Sequence, residues 1–189
     1  MIKEPKRCDW CLKDQLYKNY HDHEWGVAVH DDKQWFEKII LDGAQAGLSW
    51  YTILTKRENY RKAYHQWDVE KIAAYGDKDF KRLMLDAGIV RNKLKILASI
   101  TNAQAFLQIQ EEFGTFDQYI WRFTGYQTII NYPETLVDVP ATSPESDAMS
   151  RDLKKRGFKF VGSTICYAFM QACGMVDDHL VSCWRKAKL

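Results

Sequence analysis

The chain has 189 residues and is 46% hydrophobic, which suits one well-buried core and excludes a mainly disordered protein. Its 27 basic and 25 acidic side chains leave a formal charge of +2, so bulk cationic attraction to nucleic acid or membrane is excluded and any such surface is local. Fourteen per cent aromatics, with seven Trp and ten Tyr, exceed the needs of a small core and point to pockets that stack flat ligands.

In chain order, "MIKEPKRCDWC" lacks an apolar signal region, and no run of about 18 uncharged apolar residues follows anywhere, so the expectation is a cytoplasmic protein without a membrane span. Five Cys, an odd number, argue for reduced thiols rather than a disulfide scaffold. From an N-cap at Asp31, Trp35, Phe36, Ile39 and Ile40 line one side of a helix running to about Ala46, before Gly47. A second helix covers roughly 50–65, and "DVEKIAAY" opens a short third. "DKDFKRLML" then forms a helix to about Leu85, "DAGI" a tight turn, and a long helix follows with Ile89, Lys93, Leu97, Ile100 and Leu107 on its face, together a helix-hairpin-helix unit over about 77–112. Residues 124–146 hold three of the four prolines and little periodicity, which predicts a long connection. "SDAMSRDLKKRG" reads as a capped amphipathic helix and "STICYAFMQACGMV" as a helix in the middle of the core. The expected class is therefore all-α, in a single domain over 1–189.

Near the end of the chain, "DDHLVSCW" sets His179 and Cys183 four apart, which on a helix puts both on one face at metal-ligand spacing. The N-terminal segment offers Cys8, Cys11, His21 and His23 as further ligands for a tetrahedral zinc. Two pairings are open, Cys8 with Cys11 as a CxxC knuckle or Cys8 with His21. Four protein ligands would make the site closed and structural, so it would not activate water.

Asp42 falls within roughly 20° of Trp35 on the helical wheel, at the edge of the apolar stripe. A carboxylate there is costly unless something binds it, either a neighbouring helix N-terminus or Arg, or a ligand. Trp10, Tyr17, Tyr20 and Trp25 cluster within 16 residues, and "AGLSW" brings small residues and Trp50 just after Asp42. An acid among several aromatics suits a flat, nitrogen-rich, cationic ring. In "DAGIVRNKLKI", Gly88 marks the turn, and Arg91, Asn92, Lys93 and Lys95 follow at a helix start, an arrangement that attracts phosphate. "KKRGFKF" is a second basic patch, ordinarily a solvated helix end.

The stretches "RCDW", "LYKNYHDHEWGV", "AGLSW", "KRENYR", "DAGIVRNKLKI" and "LKKRGFKFVGSTICYAFMQACGMVDDH", in this order from Arg7 to Cys183, resemble the 3-methyladenine DNA glycosylase I family of the helix-hairpin-helix superfamily. The resemblance implies a helical fold whose hairpin grips DNA, and a structural zinc joining the N- and C-terminal segments through Cys8, His21, His179 and Cys183, with Cys11 and His23 as bystanders. It implies a base pocket walled by Trp10, Tyr17, Tyr20, Trp25 and Trp50, with Asp42 as the catalytic acid contacting the base edge. The family typically carries Glu there, so Asp42 reaches less far by about 1.5 Å, one C–C bond. The hairpin residues Gly88, Arg91, Asn92, Lys93 and Lys95 would hold DNA, and Gly47 and Leu48 would fill the gap left in the base stack.

The implied activity is hydrolytic excision of 3-methyladenine from alkylated duplex DNA. No Lys is placed as a Schiff-base nucleophile, and 100–105 holds no acid, so strand cleavage is not expected. The implied partners are alkylated duplex DNA and free 3-methyladenine as product, with no membrane and no obligate dimer. Two rivals stand beside this reading: a zinc-stapled nucleic-acid or base-binding module with little turnover, and a zinc hydrolase.

Overall fold

The computed structural model describes residues 4–186, and they are mainly helical. The helices are α1 (Gln15–His23), α2 (Asp32–Gln45), α3 (Trp50–Ala63), α4 (Val69–Ala73), α5 (Asp77–Leu85), α6 (Lys93–Phe113), α7 (Phe116–Trp121), α8 (Pro144–Lys155) and α9 (Ser163–Ala172). Capping side chains set their starts: Asp14, Asp31, Ser49, Asp68, Asn92, Thr115 and Ser143 each accept a hydrogen bond from a first-turn backbone N–H. Among the described residues no helix is long and apolar enough to cross a membrane.

The expectation of an all-α chain needs one correction. Two short strands, β1 (Ile129–Ile130) and β2 (Val176–Asp177), pair in parallel, with Ile129 opposite Val176 and Ile130 opposite Asp177. This pairing stitches the proline-rich connection to the end of the chain. Pro144 takes the first position of α8, where its missing N–H costs nothing, so the connection ends at Ser143 rather than at 146.

α2 is the central element and packs against α3, α6, α7 and α9. Its Trp35, Phe36, Ile39 and Ile40 are buried, as the periodicity predicts, in a core shared with Ile53, Phe106, Phe116, Tyr119 and Met170. α6 buries a different face from the one expected. Ile96, Ser99, Asn102, Ala103, Phe106 and Ile109 turn inward, while Leu97 is exposed and Ile89 lies in the hairpin before the helix begins. Apolar residues occupy nearly every side of the first α6 turns, so periodicity alone could not select the face that meets α4.

Gly174, just after α9, has φ +71°, and a Cβ there would come within 2.5 Å of the Val27 carbonyl carbon and 2.7 Å of the Ala28 Cα. The 26–29 segment crosses the end of α9 at this point, held by Gly26 N–H donating to Gln171 O and Val29 N–H to Cys173 O. Gly174→Ala is expected to destabilise the protein by at least about 2 kcal/mol, from the left-handed backbone plus the overlap. Urea unfolding checks this, and an unchanged midpoint would refute the close approach.

Candidate functional site: an acid-floored aromatic pocket beside a Cys/His cluster

A cavity of about 290 Å³ opens between the N-terminal segment, α1, the end of α2, the start of α3, the 133–140 loop and α9. Trp10, Tyr17, Tyr20, Trp25, Asp42 and Trp50, the six pocket residues expected from the sequence, all line it. The sequence had not indicated Gln45, Leu136, Val139, Ala168, Gln171, Ala172 or Asp178, which complete the lining. Leu136 and Val139 come from the proline-rich connection, where no local signal marks a pocket wall.

α1 delivers Tyr17, Tyr20 and His21 from one helical face, at spacings of three and four. Its signal, an Asp14 cap ahead of Leu16, Tyr17 and Tyr20, was available in the sequence. Trp10 packs edge to face on Tyr17 and Trp25, at 5.0 and 5.1 Å between centroids, and Tyr20 lies tilted against Trp50 at 5.3 Å.

Asp42 is 3% exposed, and its Oδ2 has no hydrogen-bond partner among the described residues. Burial pushes its carboxyl up to about 7, with Lys38 one turn earlier on α2 opposing the shift. The alternative that a helix N-terminus or an Arg satisfies this acid is not what the structure contains. Trp50 Nε1 is likewise buried without a partner among the described residues, which leaves an orphan donor beside the orphan acceptor in the lining. Asp178, also in the lining, is fully engaged by Asn131, Tyr167 and Gln171.

Beside the pocket, the ligand atoms of Cys8, His21 and Cys183 lie within 4.8 Å of one another, all buried. The His179 ring stands 5.1 Å from that of His21, and its Nε2 is a buried atom without a partner among the described residues. Each imidazole has its Nδ1 held by a carboxylate at 2.8 Å, Asp22 for His21 and Asp177 for His179, which leaves Nε2 as the ligand atom; His21 Nε2 meets Cys183 Sγ, while His179 lies outside the group of three. A hydrogen bond with Cys8, aided by His21, holds the Cys183 thiol below its ordinary value, and the same bond pushes the Cys8 thiol up. Cys11 instead directs its Sγ to the Cys8 carbonyl, and His23 is exposed, so the CxxC pairing is not formed.

One expectation about these segments is corrected. His179 and Cys183 do not share a helix: they sit on a turn-rich tail after β2, shaped by His179 N–H donating to Asp177 Oδ1 and Cys183 N–H to Leu180 O. Asp22 is buried under Arg7, His21 and Trp184; burial alone would raise its carboxyl, but these partners outweigh it and bring it to about 2. Glu24 pairs with Arg57 at 2.9 Å.

The hairpin joins α5 to α6. Gly88 N–H donates to Asp86 Oδ1 at 2.7 Å, and a Cβ at Gly88 would crowd Asn59. Arg91 and Lys93 are exposed and make no ion pair among the described residues. Asn92 caps α6, accepting from Leu94 and Lys95 N–H. Lys95 departs from its expected role as a DNA contact. Its Nζ donates to the Ala44 and Ala46 carbonyls at 2.7 and 2.6 Å, so it satisfies orphan groups at the end of α2 and ties the hairpin to that helix. Gly47 (φ +76°) and Leu48 form the exposed turn that follows, between the lining residues Gln45 and Trp50.

Fold and site together define a mainly helical protein with an aromatic-lined pocket that holds a buried acid unpartnered among the described residues. Comparison with known proteins narrows this class. A family model described as methyladenine glycosylase matches residues 10–186. The chain is 52% identical over 178 residues to DNA-3-methyladenine glycosylase 1 of Escherichia coli (strain K12), covering 94% of this chain and 95% of that one. A crystal structure of 3-methyladenine DNA glycosylase I superposes with a TM-score of 0.94 at 49% identity, covering 96% of this chain and all of the other. The Staphylococcus aureus 3-methyladenine DNA glycosylase I, solved for the structural basis of 3-methyladenine recognition, gives 0.93 at 36% identity over 97% of each chain. The chain belongs to the methyladenine glycosylase family.

Proposed function

We infer that the protein is a DNA-3-methyladenine glycosylase that takes 3-methyladenine out of alkylated duplex DNA and hydrolyses its N-glycosidic bond. The observation that carries this reading is Asp42, a buried carboxylate without a partner among Trp10, Tyr17, Tyr20, Trp25 and Trp50. Alkylation at N3 makes adenine cationic and weakens its bond to the sugar, so the base already leaves well. The protein's part is to accept the flipped nucleotide and hold the cation between aromatic faces. Asp42 accepts a hydrogen bond from the base edge and favours the cation over neutral adenine. As the C1′–N9 bond breaks, its electron pair leaves with the base, water adds at C1′ and a proton passes to solvent. Among the described residues no Lys or Cys lines the pocket, which supports hydrolysis without a covalent intermediate or strand cleavage.

Asp42 stands one methylene short of the family's Glu, and its position at the pocket floor supports a base contact made directly or through one water. Gly47 and Leu48, on an exposed turn at the pocket edge, are suited to fill the vacated stack, and Gly88, Arg91, Asn92 and Lys93 to hold the phosphates. For Cys8, His21, His179 and Cys183 we propose one structural zinc. Two thiols, two imidazole Nε2 atoms, one of them orphaned, and a carboxylate behind each imidazole fit that ion. When bound it supplies cross-linking of the two chain ends and no water activation. Pocket, hairpin and cluster come from one chain, so a monomer suffices, and DNA as substrate together with five free thiols supports a cytoplasmic location.

Incubation with methylated duplex DNA and chromatography of the released bases tests the function. Free 3-methyladenine without strand breaks is expected; binding without release would favour the base-binding module instead. Added 3-methyladenine should also quench Trp fluorescence, since Trp10, Trp25 and Trp50 line the cavity. Absence of quenching in protein that releases the base would count against the aromatic pocket.

A further inference from the structure

The second basic patch is not an ordinary solvated helix end. After α8, Gly157 (φ +96°) and Phe160 (φ +56°) both take left-handed backbone, which for Phe is strained and persists only where its surroundings enforce it. The enforcing contacts are visible. Asn102, a buried side chain of α6, grips the backbone of Lys159 at both ends: Lys159 N–H donates to Asn102 Oδ1 at 2.8 Å, and Asn102 Nδ2 donates to Lys159 O at 3.1 Å. Phe160 packs on Gly43, the residue after Asp42, where a Cβ would approach its own Cβ to 3.3 Å. The Phe160 ring shares a small cavity with Val90 and Lys95 of the hairpin side.

Three features therefore meet around the end of α2: the Gly47–Leu48 turn, the hairpin tied to it by Lys95, and the Lys159 loop clamped by Asn102 and seated on Gly43. Lys159 itself is exposed and, like Lys154 and Lys155, forms no ion pair among the described residues, whereas Arg156 is committed to Asp152 and Glu112. A strained loop held by a buried amide is a costly way to present a lysine unless that lysine has a fixed partner. In a chain of net charge +2, such local cations supply the attraction to a polyanion.

We propose that Lys159 is a DNA-binding residue that contacts a backbone phosphate of the substrate duplex, with Asn102 as the positioning residue that aims it. Asn102 lies nine residues beyond Lys93, about 14 Å along α6, so this contact is a separate point from those proposed for the hairpin. This rests on the glycosylase reading and extends its DNA footprint to a second, independently anchored point.

The experiment is a salt titration of binding to a duplex carrying a stable abasic-site analogue, followed by fluorescence anisotropy, with 3-methyladenine quenching run in parallel on each variant. Lys159→Gln should weaken duplex binding and flatten the slope of log K against log salt by about 0.9, while leaving free-base binding unchanged. Lys159→Arg should restore both affinity and slope. Asn102→Ala, which keeps the charge and frees the loop, should weaken binding in the same direction. Lys33→Gln, at the opposite end of α2 from Gly43, should match wild type. An unchanged affinity and slope for Lys159→Gln would overturn the proposal. A wild-type protein that binds neither duplex nor 3-methyladenine would overturn the glycosylase reading and this extension together.

Discussion

Asp42→Asn is expected to lower 3-methyladenine release by about 10- to 100-fold while raising the stability of the free protein. The loss follows from replacing a charge-assisted hydrogen bond to a cationic base by a neutral one, a difference of about 1.5–3 kcal/mol. The gain follows from linkage. In the unfolded chain the carboxyl ionises near 3.8, whereas in the folded protein burial raises it to about 7. The folded state thus holds the extra proton between these values, and stability falls as pH rises from 3.8 through 7. Fully ionised, Asp42 costs the fold up to about 4 kcal/mol. Asn removes that cost but buries an unpartnered amide, so the net gain is about 2 kcal/mol at pH 8, or roughly 5 °C in melting temperature.

At pH 5, where Asp42 is already protonated, the two proteins should melt together. The wild-type release rate should climb between pH 6 and 8 as the acid ionises, and the variant should lack that rise. Thermal melts at pH 5 and 8, with release profiles over the same range, measure both arms. Equal release by the two proteins would remove Asp42 from the mechanism. Equal melting at pH 8 would mean the carboxylate is not isolated. The expected pattern is a stability–activity trade: a site kept unsatisfied so that only the substrate can satisfy it.

The second large effect concerns the chain ends. The protein as isolated is expected to contain one zinc per chain, and Cys183→Ala to lose it. Cys8, Leu180 and Cys183 form a small cluster separate from the main core, with Trp10 and Trp25 packed against it. Apparent metal-binding free energies in small zinc modules reach about 10–16 kcal/mol, far beyond what so small an apolar cluster supplies. Without the metal, the N-terminal segment and the tail after β2 should separate, carrying Trp10 and Trp25 away from the pocket.

The helices around α2 do not depend on that cluster, so far-UV circular dichroism should be largely kept while 3-methyladenine quenching is lost. Prolonged chelation should reproduce the variant. Metal-free wild-type protein that binds the base normally would show that the cluster needs no ion. A Cys11→Ala protein should keep both metal and base binding, because Cys11 Sγ points to the Cys8 carbonyl rather than into the cluster.

Much of this molecule was legible before folding because its signals are local. Asp31, Asp68 and the spacing around Trp35, Phe36, Ile39 and Ile40 mark their helices through bonds and contacts spanning three or four residues. Asp42 was conspicuous because a charge at the edge of an apolar stripe conflicts with its own helix. The aromatic residues around it were equally visible from their crowding in the N-terminal segment.

What tertiary structure decided are the pairings between segments far apart in the chain. His179 and Cys183 have helical spacing, yet the parallel pairing of β2 with β1 and the Asp177 turn give their segment another shape. Lys95 looks like a DNA contact until the end of α2 arrives with carbonyls that need donors. Asp22 sits in a polar run, but Arg7 and His21 draw it inside. Leu136 and Val139 become pocket walls only when the proline-rich connection folds over α9. Sequence by itself determined which segments are helical and which acid and rings were out of place. Only the fold decided what each of them faces, because contacts across a hundred residues depend on chain entropy and packing rather than on neighbours along the chain.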